Sequence, residues 1–459
     1  MDNVQSVSRV MPPQVPSQPP GGVIPHFIDR KLDFLLQARA TYGDIFRIDM
    51  AGTEVVIFGH PRHLQHILVD HARNYSGKGG PRAFRTVSAV VMKNGLATVD
   101  SADDLWRQQR KAIQPHLHRR QLDPLADLMV AIIERGIAKW DDTIVPGQPF
   151  DVEPGLTHIA MNILVKTMFG TELEPDEVIR FSDRIRNVLD SIWLDLMDTA
   201  SCEETLPARE HRYQEDLTVI DQMLARLVES RFQEAERGDD LITMLWQLVG
   251  MDGISRDQFR DEALSTLIAG YESTAASMSF AFMLLTQHPD VMQNLQTEID
   301  TVLQTRRPTL TDLPHLAYAR MVVQETLRFY APSYWVQRVA EKDDEIDGFY
   351  IPAGTIVAPL LHLIHHHPDV WKNPQTFEPE RFAPERIAKR QKFAWVPFGA
   401  GQRMCVGMEF ALMTGQLILA QVLQRYTVTS VSGRPSHIRF GTNVRPDGGV
   451  WAHLEKRAK

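Results

Sequence analysis

The stretch Phe398-Gly399-Ala400-Gly401-Gln402-Arg403-Met404-Cys405-Val406-Gly407 decides the fold of this chain. It places a cysteine on a glycine-rich turn directly before an apolar pattern of helical spacing, Val406 to Arg425. A turn that leads into a helix directs free backbone N–H groups and the positive end of the helix dipole at the residue it carries. We therefore expect the Cys405 thiol to ionise to a thiolate.

A thiolate in this position could act as a nucleophile, a zinc ligand or an axial ligand of haem iron. Zinc needs companion ligands, but the sequence has one other cysteine, Cys202, and no His or Cys stands at finger-like spacing from Cys405. A nucleophile needs a base, which the sequence alone does not exclude. Haem iron needs a single thiolate, which pushes electron density onto the metal and favours O–O cleavage.

The residues around the cysteine suit a haem ligand. Gly401 and Gly407 allow backbone to lie against a flat macrocycle where a Cβ would clash. Phe398 can shield the sulfur, and Arg403 can pair with a propionate. A structural cysteine on a glycine turn would explain a lone Cys-x-Gly, but the whole pattern favours the haem interpretation.

The pattern Phe-x-x-Gly-x-Arg-x-Cys-x-Gly resembles the haem-binding signature of the cytochrome P450 family. The resemblance implies a mainly α fold with small β-sheets, the cytochrome P450 fold, in a single large domain. We expect residues 1–25 to form a flexible Pro-rich leader and residues 26–459 to form the haem domain. The resemblance also implies haem b (iron protoporphyrin IX) as the cofactor, with Cys405 as the axial ligand of its iron.

Composition narrows the class of protein. The chain has 459 residues, of which 43% are hydrophobic and 23% charged, as in ordinary globular proteins. Its net charge of −9, from 49 basic and 58 acidic residues, argues against a nucleic-acid partner. Two cysteines leave no disulfide framework, so we expect a cytoplasmic protein. The leader has no apolar run near the ~20 residues of a membrane span, so we expect no membrane anchor.

A capping box, Ser255-Arg256-Asp257-Gln258, precedes a stretch without proline until Pro289. This predicts a helix of about 32 residues, roughly 48 Å long. Its middle holds small residues around an acid and two alcohols. Gly270 lowers helix stability by up to ~1 kcal/mol relative to alanine. A buried carboxylate lowers stability further unless it is hydrogen-bonded. Residues that are unfavourable for local structure in this way are typical of functional sites.

This segment, Ala269 to Thr274, resembles the family motif Ala-Gly-x-(Asp/Glu)-Thr-Thr. The resemblance implies a helix opened near Ala269 and Gly270 to admit O2, with Glu272, Ser273 and Thr274 as a catalytic proton relay. Serine replaces the usual threonine at 273 and lacks its β-branch. We expect the relay to survive with more uncoupling of oxygen reduction from product formation. The alternative is a helix–helix contact through small residues, with Glu272 at a surface.

Other positions gain roles from the same resemblance. Four side chains are expected to contact the haem propionates: Trp106, Arg110, Arg338 and Arg403. Trp106 and Arg110 lie on one face of a predicted helix. Glu325 and Arg328 are expected to form a structural triad with Arg381, rather than a solvated surface pair. Substrate contacts are expected from one set of apolar residues: Phe84, Val87, Leu267, Trp335 and Val336.

Two further patterns have competing interpretations. The histidines at 362, 365, 366 and 367 have spacings that can chelate a metal, but no carboxylate or cysteine completes the set, so we favour no metal there. Several basic residues on an acidic protein are either solvated helix surface or a docking face for an electron donor. They are Arg107, Lys111, Arg119, Arg120, Lys389, Arg390 and Lys392.

The expected activity is that of a haem-thiolate monooxygenase, which activates O2 and hydroxylates or epoxidises a hydrophobic small molecule of terpenoid, fatty-acid or steroid type. No flavin or iron–sulfur segment is identified, so electrons are expected from ferredoxin or flavodoxin and its NAD(P)H-dependent reductase. One alternative is a peroxide-driven peroxygenase or isomerising relative. Another is a non-catalytic haem-thiolate gas sensor or carrier.

Overall fold

The computed structural model describes residues 9–17, 21–50, 52–77, 92–117, 122–197, 206–233, 255–434 and 436–457. The α-helices in these residues are α1 (Ile24–Tyr42), α2 (Pro61–Gln65), α3 (Asp104–Ile113), α4 (Ala126–Asp141), α5 (Glu153–Phe169), α6 (Pro175–Met197), α7 (Leu206–Gln233), α8 (Arg256–Gln287), α9 (Pro289–Leu303), α10 (Ala317–Phe329), α11 (Leu361–His365), α12 (Pro384–Ile387) and α13 (Met408–Arg425). The strands are β1 (Ile45–Met50), β2 (Thr53–Phe58), β3 (Phe150–Asp151), β4 (Arg338–Val339), β5 (Asp344–Ile346), β6 (Phe349–Ile351), β7 (Ile356–Pro359), β8 (Tyr426–Ser430), β9 (His437–Arg439), β10 (Arg445–Asp447) and β11 (Trp451–Lys456).

Helix α8 is the predicted 32-residue helix. The Ser255 hydroxyl accepts from the Gln258 N–H at 3.1 Å, and the Gln258 side chain accepts from the Ser255 N–H at 2.8 Å, so the predicted capping box is formed. Most of the helix is buried, because apolar residues occur on all of its faces. It packs along α5 and contacts α10 and α13. The prediction of a long buried helix through the domain is confirmed.

The α8–α5 contact depends on one glycine. A Cβ built on Gly270 would lie 2.7 Å from Cδ2 of Leu164 on α5, closer than side chains pack. A small residue at 270 is therefore required by this helix–helix contact, as the alternative interpretation of this segment expected. The other half of that alternative is wrong, because Glu272 is buried rather than at a surface. The same residue also borders the cavity described below.

Small sheets flank the helices, as predicted. β1 and β2 form a hairpin, with Met50 opposite Thr53 and Gly52 at a φ of 85° in its turn. They continue into a four-stranded sheet of order β1-β2-β7-β4. β5 and β6 form a second hairpin whose turn residues, Asp347 and Gly348, both have positive φ, the geometry of a type I′ turn.

The N-terminal residues 9–17 are held against the first sheet. The Val15 N–H donates to the Arg47 carbonyl at 2.9 Å, and the Arg47 N–H donates to the Pro13 carbonyl at 2.8 Å. The Tyr350 N–H donates to the Val10 carbonyl at 2.8 Å. Residues 9–17 thus run in extended form beside the sheet, whose edge supplies the hydrogen bonds that prolines cannot form among themselves. The division into a leader of residues 1–25 and a haem domain stays a prediction.

Candidate active site

Two left-handed glycines shape the turn that carries Cys405. Gly399 and Gly401 have φ values of 69° and 68°, which a side chain rarely adopts. The Cys405 N–H donates to the Phe398 carbonyl at 2.8 Å and closes the turn directly before α13. A Cβ on Gly401 would overlap the backbone carbonyl of Leu68, in the π-helical turn His66–Asp70. Gly401 is therefore required by a close approach of two backbones and does not line the cavity described below, so the prediction that it lies against the macrocycle is wrong.

The environment of the Cys405 sulfur differs from the sequence-based expectation. Burial raises the pKa of this thiol above its usual value, while a hydrogen bond from the Gly407 N–H and the charge of Arg110 lower it. Burial has the larger effect. The turn alone therefore does not lower the pKa of the thiol, and the thiolate stays a prediction for the haem-bound protein, since Cys405 is exposed to the cavity that the cofactor would fill. A cation bound to the sulfur would reverse this balance.

Cys405 lines a cavity of about 530 Å³. On one side lies the cysteine turn, with Phe398 and Gly407, and on the other lies one face of α8. Trp335 and Val336 line it as predicted for substrate contacts, and Thr442, in the turn between β9 and β10, reaches it from the C-terminal region. The cavity therefore places the single cysteine turn opposite a helix face that carries hydroxyl groups.

Three arginines border this cavity near the cysteine: Arg110, Arg338 and Arg403. Arg110 donates to the Met404 carbonyl at 2.8 Å, and Arg403 donates to the Val99 carbonyl. The guanidinium carbons of Arg110 and Arg403 lie 5.6 and 4.9 Å from the centre of the Trp106 ring. Burial lowers the pKa of Arg338 to about 10. The structure thus brings together the four side chains predicted to hold the propionates.

These residues fit a haem. Three cations gathered at a buried cavity carry a desolvation cost that carboxylates of a ligand would offset. A Cβ on Gly407 would meet only the Cys405 sulfur, at 3.9 Å, so protein packing leaves space beside the sulfur on that side. One thiol, a cationic border and apolar walls match a thiolate ligand, two propionates and a flat apolar ring.

The helix face opposite the cysteine differs from the predicted relay in two ways. Helix α8 runs without a break from Arg256 to Gln287, so the predicted local opening is absent. The Ser273 hydroxyl donates to the Ala269 carbonyl at 2.6 Å, and the Thr274 hydroxyl donates to the Gly270 carbonyl at 2.7 Å. These bonds to carbonyls four residues earlier hold both hydroxyls in place at the cavity wall.

Glu272 lies away from the cavity wall formed by Ser273 and Thr274. Its Oε1 is 3.4 Å from an Arg445 nitrogen, and its Oε2 is 3.9 Å from Nε of Arg186 on α6. The reason is helical geometry, since each residue turns the side chain by 100° relative to the previous one. The structure therefore does not bring the acid to the two alcohols, and its charge is offset by two arginines instead.

The sequence matches the family model for cytochrome P450 over residues 12–448. The chain belongs to the cytochrome P450 family. It is 29% identical to cyclooctat-9-en-7-ol 5-monooxygenase of Streptomyces melanosporofaciens, over 88% of this chain and 86% of that protein. It is 27% identical to pentalenene oxygenase of Streptomyces avermitilis, over 87% of each chain. The predicted activity of a P450 monooxygenase is confirmed.

The crystal structure of cytochrome P450DA heme domain has the same fold. It superposes with a TM-score of 0.88, covers 98% of each chain and is 22% identical in sequence. The predicted cytochrome P450 fold in one large domain is confirmed. Among the helices of the described residues, none combines the length and apolar character that crossing a membrane requires.

The remaining predicted substrate contacts have different outcomes in this P450. Leu267 is fully buried in the apolar core and does not line the cavity, because its side chain turns from the cavity-facing side of α8 into the packing of the domain. Phe84 and Val87 lie outside the described residues, as do Arg119, Arg120 and Cys202.

The predicted triad of this P450 is assembled and buried. Arg328 donates to Oε2 and Oε1 of Glu325 at 2.7 and 2.8 Å, and Nε of Arg381 lies 3.3 Å from Oε1 of Glu325. Arg328 also donates to the His365 carbonyl at 2.8 Å, and Glu325 accepts from the Glu378 N–H at 2.9 Å. These bonds tie α10 to the segment that leads into the cysteine turn.

The histidine run serves packing rather than metal binding. His365 accepts from the Val396 N–H at 3.0 Å, and His367 pairs with Asp44 at 2.9 Å. Burial lowers the pKa of His362 to about 3 and that of His365 well below its usual value, so both stay neutral. In the part of the chain that the structure describes, the histidine run does not place three possible metal-ligand atoms within 4.8 Å, whereas His66, His71 and Asp344, nearer the surface, do.

Sequence reasoning missed one polar pair in the cavity. Glu262 and Thr266 line it and lie on the same face of α8 as Ala269 and Ser273. The spacing of four, seven and eleven residues from Glu262 was visible in the sequence and indicates one helical face. Burial raises the pKa of Glu262 to about 7.

Proposed function

We propose that this P450 hydroxylates or epoxidises an apolar small molecule of terpenoid type. The observation that carries the proposal is the cavity of about 530 Å³, lined mainly by apolar side chains, between the cysteine turn and the hydroxyl-bearing face of α8. The names of two relatives, cyclooctat-9-en-7-ol 5-monooxygenase and pentalenene oxygenase, support this substrate class. Fatty acids and steroids of similar size belong to the same broad class of apolar compounds.

Haem b is the cofactor that we assign to this site, and when bound it supplies the reductive activation of O2 and the transfer of one oxygen atom to carbon. Cys405 would hold the iron, and Phe398 lies beside the turn. Arg110, Arg338 and Arg403 would hold the propionates. Because their guanidinium groups are already fixed by backbone carbonyls or by the Trp106 ring, little side-chain entropy is lost when they bind an anion.

Proton delivery is assigned to the hydroxyls of Thr274 and Ser273. Each hydroxyl donates to a helix carbonyl and keeps its lone pairs for a proton donor at the cavity. Glu272 contributes to this path only after leaving Arg186 and Arg445. In the arrangement observed, its charge joins α8 to α6 and β10, which stabilises the wall that carries the two alcohols.

The electron donor that we propose is an acidic ferredoxin or flavodoxin, reduced by its own NAD(P)H-dependent reductase, in the cytoplasm. Lys111 is exposed on α3, next to Arg110, which contacts the cysteine turn. Lys389 and Lys392 are also exposed. Arg390 is less suitable for docking than the sequence indicates, because its guanidinium packs 4.3 Å from the centre of the Phe382 ring and donates to a backbone carbonyl.

Charge reversal tests the docking face. We expect Lys111→Glu to slow reduction by a ferredoxin–reductase pair, most strongly at low salt, because opposite charges speed association. Binding of an apolar ligand should stay unchanged. Lys139→Glu is the matched control, since that exposed lysine lies near Glu174 rather than the cysteine turn. Stopped-flow reduction at equal rates in the two variants would contradict the assignment.

Turnover assays test the reaction itself. With haem, NAD(P)H, a ferredoxin and its reductase, a sesquiterpene hydrocarbon should give a product that contains one atom from 18O2. Activity with peroxide but none with NAD(P)H and the reductase would instead indicate a peroxygenase. Binding of CO without consumption of NAD(P)H would indicate a sensor or carrier.

A further inference from the structure

One face of α8 extends the cavity beyond the oxygen-handling segment. Glu262, Thr266, Ala269 and Ser273 all line the cavity, at spacings of four, seven and eleven residues. Since an α-helix rises about 1.5 Å per residue, Glu262 lies about 10 Å along the helix from Ala269. The cavity wall thus carries a carboxyl group about 10 Å along the helix from Ala269.

Glu262 differs in charge from every other ionisable group at this wall. Among the described residues that line the cavity, the charged side chains are Arg110, Arg338, Arg403 and Glu262. The three arginines are already assigned to propionates in the proposed function. The carboxyl group of Glu262 takes part in neither the cofactor site nor the proposed proton path.

The hydrogen bonds of Glu262 leave capacity for a ligand. Its Oε2 accepts from the Leu96 N–H at 2.7 Å, and its Oε1 is 3.3 Å from the Thr266 hydroxyl. A carboxylate has about four acceptor positions, so these two contacts use half of them. The side chain is buried, with 3% of its surface exposed, so bulk water does not supply the remainder. The raised pKa of Glu262 agrees with a buried carboxylate whose desolvation is only partly offset by hydrogen bonds.

We infer that Glu262 and Thr266 bind a hydroxyl group on an otherwise apolar substrate, at a point on the cavity wall about 10 Å along α8 from Ala269. This inference rests on the proposed function, which it narrows to apolar alcohols. A hydroxyl suits the pair because it can donate to the carboxylate while the single Thr266 O–H, which donates to Glu262 in the free protein, turns to donate to the ligand oxygen. A hydrocarbon leaves both groups partly unsatisfied, and that discriminates against it.

Farnesene and farnesol, a C15 hydrocarbon and its alcohol, are suitable probes for calorimetric titration of the haem-loaded protein. We expect the wild type to bind farnesol about tenfold more tightly than farnesene, equivalent to 1.4 kcal/mol. Glu262→Gln and Thr266→Val should each remove most of that preference by weakening farnesol binding alone. Oxidation of farnesol should fall in the half of the chain farther from its hydroxyl.

Asp261→Asn is the matched control. Asp261 is the neighbouring buried carboxylate and accepts from the Asn94 N–H at 3.2 Å, so it also holds the segment around residues 94–96, but it does not line the cavity. The preference for farnesol should survive this change. An equal loss in Asp261→Asn and Glu262→Gln would show that Glu262 only anchors that segment, which overturns the inference.

A wild type without preference for farnesol, including one that binds neither compound, also overturns it. The proposed function is judged separately, by the ferrous carbonyl spectrum and by NAD(P)H-dependent oxygenation of other apolar compounds. If both of those measurements fail, the proposed active site itself is refuted. If both measurements succeed but the two probes bind equally well, only the proposed role of Glu262 and Thr266 is refuted.

Discussion

Replacing Gly401 by alanine tests whether the cysteine turn is fixed by the backbone behind it. Gly399 offers an internal control, because it has nearly the same φ, 69° against 68°. A Cβ at 399 meets nothing within 4 Å, whereas a Cβ at 401 overlaps the Leu68 carbonyl oxygen and lies 3.0 Å from its carbon. The two variants therefore share the conformational cost and differ in the clash.

The expected magnitudes follow from these two terms. A left-handed conformation costs a residue with a Cβ about 1–2 kcal/mol, and this applies to both Gly399→Ala and Gly401→Ala. Forcing an extra carbon into a packed site adds typically about 1–3 kcal/mol. We therefore expect Gly401→Ala to lose about 2–5 kcal/mol of unfolding free energy in total, and Gly399→Ala about 1–2 kcal/mol.

The clash also has a functional consequence. Leu68 can avoid the new methyl group only if the π-helical turn or the cysteine turn moves, and a shift of about 1 Å can cost on the order of 100-fold in rate. Urea unfolding midpoints and turnover of the haem-loaded variants measure both effects. Equal losses in the two variants, in stability and in turnover, would refute the reasoning.

Three further predictions concern other parts of the molecule. Glu325→Gln leaves its buried arginine partner uncompensated, so we expect this variant to lose about 3–5 kcal/mol of unfolding free energy. Asp104→Asn is the control, because its ion pair has the same i,i+3 spacing but is exposed, and it should lose less than about 1 kcal/mol. Similar urea midpoints for the two would contradict this. Ser273→Thr restores a β-branch, so more product should form per NAD(P)H consumed, and an unchanged ratio would count against the proton path. Burial raises the pKa of Glu262 from 4.5 to about 7, so the folded protein keeps a proton that the unfolded chain releases in that window. The stability of the wild type relative to Glu262→Gln should therefore fall by up to about 3 kcal/mol as the pH rises from 4.5 to 7, and a difference that does not change with pH would disprove it.

Local signals predicted much of the fold correctly. The capping box at Ser255 and the lack of proline before Pro289 predicted α8, because both features act within the helix itself. The pairing of Glu325 with Arg328 needed only helical spacing.

The predictions that were wrong concern side chains whose environment is set by neighbouring elements in the folded protein. Helix α8 is apolar on nearly all faces, so its pattern does not show that Leu267 turns into the core or that Glu272 turns toward Arg186 and Arg445. Desolvation has a larger effect on the pKa of the Cys405 thiol than the Gly407 N–H of its own turn. Each of these properties arises from tertiary packing, which no local sequence window contains.

The most direct test of the account is the absorption spectrum of the ferrous carbonyl form of the haem-loaded protein, compared with that of Cys405→Ala. We predict a Soret maximum shifted to the wavelength typical of thiolate ligation in the wild type, and its loss in the variant. A wild-type protein without this shift, or a variant that keeps it, would contradict the assignment of Cys405 as the haem ligand.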